Sequence, residues 1–71
     1  MIVTLDAGSR QTAGSIVVEA WKHGIEVEKL YGNQLELCGG DDVRIEKLIS
    51  RFPSVIILHT EKIKEVSWHE Q

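Results

Sequence analysis

Reactive side chains come closest together at Cys38-Gly39-Gly40-Asp41-Asp42. A thiol beside a helix N-terminus can lose its proton and act as a nucleophile. Two adjacent acids can serve as bases or hold a cation, and His23, Cys38, His59 and Asp41 together have the donor chemistry of a zinc site. Each reading needs more than the residues themselves. A nucleophile requires a base and an oxyanion donor within reach. Zinc ligands normally come in close pairs such as Cys-x-x-Cys, which this chain lacks. The plain account is a thiol packed as a small apolar group and an acid capping a helix. A metal- or thiol-dependent enzyme using Cys38 with His23, His59 and Asp41/Asp42 is the alternative.

A second chemical candidate is Asp6-Ala7-Gly8-Ser9-Arg10, which precedes a helical pattern. Free N–H groups at a helix start attract anions, so Gly8, Ser9 and Arg10 form a weak anion-binding candidate. Asp6 would repel an anion, and an ordinary capped turn is the simpler account.

The elements that must position these groups follow from hydrophobic periodicity. Met1 to Asp6 alternates as a strand. From Ser9 to His23, Ala13, Ile16, Val17, Ala20 and Gly24 fall on one helical stripe, with Val18 and Trp21 on its flank. Gly14 lies on that flank too, where a missing side chain would allow close approach to a sheet. His23-Gly24 is a stop signal. Ile25 to Tyr31 and Gln34 to Cys38 read as a hairpin around Gly32-Asn33. Asp41 or Asp42 caps a helix with a buried stripe of Ile45, Leu48, Ile49 and Phe52, and Pro53 ends it. Ser54 to Thr60 is the strongest strand: Val55, Ile56, Ile57 and Leu58 leave no polar face, so burial on both faces is expected. In Glu61 to Gln71 the apolar residues Ile63, Val66 and Trp68 switch parity, which fits a strand extension or a separate arm.

Seventy-one residues make one domain, 1–71, with a core over 1–60 and a tail over 61–71. The order is βαββαβ. The economical solution is an α+β, ferredoxin-like two-layer sandwich: an antiparallel sheet, strand order four, one, three, two, with two helices on one face. That topology sends Asp6 to one end of the sheet and Asp41-Asp42 to the other, so the three acids do not share a site. It also leaves an open sheet face carrying Gln34, Glu36 and Cys38.

Composition narrows the function classes. A formal net charge of −3 with mixed signs argues against nucleic-acid backbone binding, and the exposed strand positions lack the stacking aromatics of single-strand binders. The longest apolar run is four residues, far short of the roughly 20 that span a membrane, and the start MIVTLDAGS lacks a signal-peptide pattern. One cysteine cannot form an internal disulfide and fits a reducing compartment, so cytoplasm is the expected location. A domain this small has little stability to spare, and association would add to it. The expectation is a non-enzymatic binding or regulatory module, adaptor- or inhibitor-like, without cofactor. It would act on a protein partner or on itself as a homodimer, or hold a small-molecule ligand. The contacts would come from Gln34, Glu36 and Cys38 on the open face and Ile63, Val66 and Trp68 in the tail.

Overall fold

The computed structural model describes residues 1–39 and 41–61. Six elements follow in order: β1 (Ile2–Asp6), α1 (Arg10–Lys22), β2 (Glu26–Lys29), β3 (Gln34–Cys38), α2 (Asp42–Ser50) and β4 (Ile56–Glu61). The four strands form one antiparallel sheet in the order β2-β3-β1-β4, which read from the other edge is the expected four, one, three, two. The tail over 62–71, with Ile63, Val66 and Trp68, and residue Gly40 lie outside the described residues.

Each helix is bounded by chemistry local to it. Ser9 takes an extended backbone and its Oγ accepts from Thr12 N–H at 3.1 Å, capping α1. At the other end Gly24 adopts φ +70°, Ile25 N–H donates to Ala20 O at 2.9 Å, and Gly24 N–H donates to Trp21 O at 3.3 Å. This Schellman closure satisfies the last carbonyls and drops the buried Ile25 onto the end of the helix. For α2, the Asp41 carboxylate accepts from Arg44 N–H at 2.8 Å. Three residues past Ser50, Pro53 prevents continuation.

Both helices cover one face. Val3 and Leu5 of β1 and Leu35 and Leu37 of β3 are fully buried with Ala13, Ile16 and Ala20 of α1 and Ile45 and Leu48 of α2 in one continuous cluster. Val3 pairs with Leu37 and Leu5 with Leu35 across the two central strands, so strand alternation alone builds the floor of the core.

Five residues depart from the sequence reading. Ile56, Ile57 and Leu58 are not covered on both faces; every residue of β4 is exposed. Ile45 and Leu48 of the nine-residue α2 join the core cluster, whereas Ile56, Ile57 and Leu58 stay outside it. Trp21 is not core flank but 82% exposed on α1. Gly14 does not mediate close packing: a Cβ built there meets nothing within 4 Å.

Candidate functional site: the open sheet face and the β4 edge

Strand alternation sends every second residue away from the helices. On the open face this places Ile2, Thr4 and Asp6 of β1 and Gln34, Glu36 and Cys38 of β3. Cross-strand register adds their neighbours: Glu26 opposite Cys38 and Glu28 opposite Glu36 on β2, and Glu61, His59 and Ile56 opposite Ile2, Thr4 and Asp6 on β4. The expected trio Gln34, Glu36 and Cys38 is therefore brought together.

The charge on this face is one-sided. Asp6, Glu26, Glu28, Glu36 and Glu61 share it. Among the described residues no lysine or arginine does: Arg10, Lys22, Arg44, Lys47 and Arg51 belong to the helices and their ends, and Lys29 is opposite the inward Leu35. Signs that mix along the chain are sorted in space by the fold. Glu28 directly opposite Glu36 is an unfavourable like-charge pair that folding does not need.

Cys38 reports this field. Partial burial, and then the carboxylates of Glu26, Glu36 and Glu28, push its pKa above the ordinary 9.0. The thiol is held neutral, the opposite of what a nucleophile requires.

The other functional candidates are dispersed. His23 sits at the end of α1 with its Nε2 3.6 Å from a Glu19 carboxylate oxygen. His59 and Cys38 are both on the open face, but β1 runs between their strands, a separation of about 10 Å. Asp41 is engaged as a cap. Asp42 lies at the start of β1, 3.2 Å from the Met1 nitrogen, and so at the far end of that strand from Asp6. Among the described residues no three His, Cys, Asp or Glu side chains are close enough to hold one metal ion.

The Gly8-Ser9-Arg10 loop makes two local hydrogen bonds at the start of α1. Gly8 N–H donates to the Asp6 carboxylate at 2.8 Å, and Thr12 N–H donates to Ser9 Oγ. Two of the N–H groups at this helix start are thus engaged within the chain, and Gly8's partner is itself a carboxylate.

What sequence reasoning missed is how exposed the edge strand β4 is. β4 ends the sheet, so its outer backbone N–H and C=O groups have no strand partner among the described residues. Its apolar residues are bare: Ile56 is 63%, Ile57 43% and Leu58 48% exposed. Leu58 is also an extra residue in the ladder, because His59 pairs with Thr4 while Ile57 pairs with Leu5. That bulge twists the strand but adds no charge to block pairing. The continuous run Val55–Leu58 was the available signal, and it reads the same for a doubly buried strand as for a sticky edge. No helix among the described residues is long and apolar enough to cross a membrane. The chain matches no known family model, curated protein or solved structure.

Proposed function

We propose that this chain is a non-enzymatic binding module of ferredoxin-like fold that works through protein contacts, adaptor- or inhibitor-like, and associates with itself through β4. The βαββαβ order with both helices on one face supports the fold. The observation that carries the function is β4: three consecutive large apolar residues exposed on an edge strand with a free backbone ladder. Such an edge is a template for strand addition.

Charge decides how two copies meet. Stacking two open faces would bring their five carboxylates each into opposition, with no lysine or arginine among the described residues of either face to offset them. Pairing β4 with β4 covers Ile56, Ile57 and Leu58 and keeps the acidic faces apart. The open face, with Gln34, Glu36 and Cys38 at its centre, then remains available to a different partner, one with a basic surface.

The test is light scattering on the full chain across a concentration series, with Ile56→Lys as the control. Ile56 is mostly exposed, so the variant keeps its fold while an edge lysine discourages pairing. The expected result is a mass of twice 8.0 kDa for the native chain and 8.0 kDa for the variant. A native chain that stays monomeric up to about 100 μM, well above the micromolar range of modest interfaces, would sink the self-association.

A further inference from the structure

A groove runs along the seam between α1 and β2, on the side of the molecule away from the acidic face. It has two parts that meet at Val17. One, of about 320 Å³, is lined by Arg10, Gly14, Val17, Lys29 and Leu35 among others. The other, of about 520 Å³, continues past Val17 to Trp21 and Val27. From Arg10 to Trp21 the helix advances about 16 Å at 1.5 Å per residue. Each part lies in the size range of small-molecule sites.

Three independent features say what fits. First, Arg10 and Lys29 both line the first part, no carboxylate does, and neither cation makes an ion pair among the described residues. The one acid lining the second part, Glu26, belongs to the open-face register, and its carboxylate lies beside Gly39 of the β3 end. Second, Val17 and Trp21 stand one helical turn apart and are exposed, so the groove continues from its cationic end along an apolar wall. Third, Gly14 lies inside α1, where glycine weakens a helix, and no described atom comes near enough to require it. Its missing side chain keeps the groove open.

We infer that this groove binds a small amphipathic anion, with its carboxylate or phosphate at the Arg10–Lys29 end and its apolar body over Val17 toward Trp21. The site is separate from β4 and meets the acidic face only at Glu26, so it stands or falls independently of self-association.

The experiment is a two-dimensional NMR titration of the full chain with octanoate, with octanol and acetate as the arms lacking the charge or the apolar body. Octanoate is expected to give saturable shifts at the amides of Gly14, Val17, Gly32 and Asn33 and at the Trp21 indole, with octanol and acetate each at least tenfold weaker. Replacing both cations, Arg10→Gln with Lys29→Gln, should weaken octanoate at least tenfold and leave octanol unchanged. Gly14→Leu should abolish the shifts while raising the melting temperature, which shows that the variant is folded. Equal binding of octanol and octanoate, undiminished binding by Gly14→Leu, or shifts confined to Ile56–Leu58 would each overturn the assignment.

Discussion

Replacing Gly14 with alanine should stabilise the protein. Gly14 is the fifth residue of the thirteen-residue α1, well inside both caps. Its φ is not in the left-handed region, and a Cβ there meets nothing within 4 Å. The substitution therefore carries no steric or backbone cost, and the whole propensity difference between glycine and alanine, about 0.8–1.0 kcal/mol, is available. Part of that gain comes from the unfolded chain, which has fewer conformations to lose. For a domain of this size about 1 kcal/mol corresponds to a rise of about 4–8 °C in Tm. Thermal melts followed by circular dichroism measure it directly. A urea midpoint that rises with an unchanged slope would assign it to stability and not to a change in the compactness of the unfolded chain. Gly39→Ala is the opposing control. Gly39 has φ +81°, and the Glu26 carboxylate occupies the space its Cβ would take. That variant should lose about 1–2 kcal/mol from backbone conformation alone. If Gly14→Ala is neutral or destabilising, something packs against residue 14, and the reasoning that leaves the α1–β2 groove open is refuted.

The acidic face yields three further expectations. Cys38 should be alkylated by iodoacetamide more slowly than free cysteine at pH 8, and Glu26→Gln should speed the reaction by removing one of the carboxylates that hold the proton on. The same shift fixes a sign for stability. The folded pKa lies above the ordinary 9.0, so the unfolded chain releases this proton first as pH rises. The Cys38 contribution is flat below about pH 9 and falls above it, and comparing urea midpoints with Cys38→Ala between pH 8 and 10 isolates it. A native chain no more alkaline-sensitive than Cys38→Ala would contradict the shift. Glu28→Lys should replace the repulsive Glu28–Glu36 pair with an attractive one and add about 0.2–1 kcal/mol. The gain should shrink in 0.5 M salt as screening sets in, and a salt-independent change would show that packing, not charge, is responsible.

What was legible in the sequence is what local chemistry determines. Ser9, Gly24 and Asp41 bound their helices with bonds made a few residues away, and Pro53 ends α2 by its own backbone restriction, so the element order could be read without knowing the fold. Leu35 and Leu37 announced an inward face by alternation, and the fold adds only their partners Leu5 and Val3. The separation of Asp6 from Asp41 and Asp42 followed from that order. The positions misread are of another kind. Ile56, Ile57, Leu58 and Trp21 have the composition of core residues and the exposure of surface ones; Gly14 has the composition of a close contact and meets nothing. Whether such a residue is covered depends on which other elements pack over it: Ile45 and Leu48 of α2 enter the core while Ile56, Ile57 and Leu58 do not, and no local pattern encodes that outcome. The acidic face is intermediate. The alternation of Glu26, Glu28 and Glu36 could be seen along each strand, but their convergence required the β2–β3 register. Local rules that agree with burial specify the fold, and places where they disagree are where functional or strained sites are expected. In this molecule the disagreements fall on three separate surfaces: the β4 edge, the carboxylate face and the α1–β2 groove. A buried strand partner, a basic surface and an amphipathic anion would each resolve one of them. Each occupant would turn residues that look misplaced in the isolated chain into ordinary core or ion-pair positions of a complex.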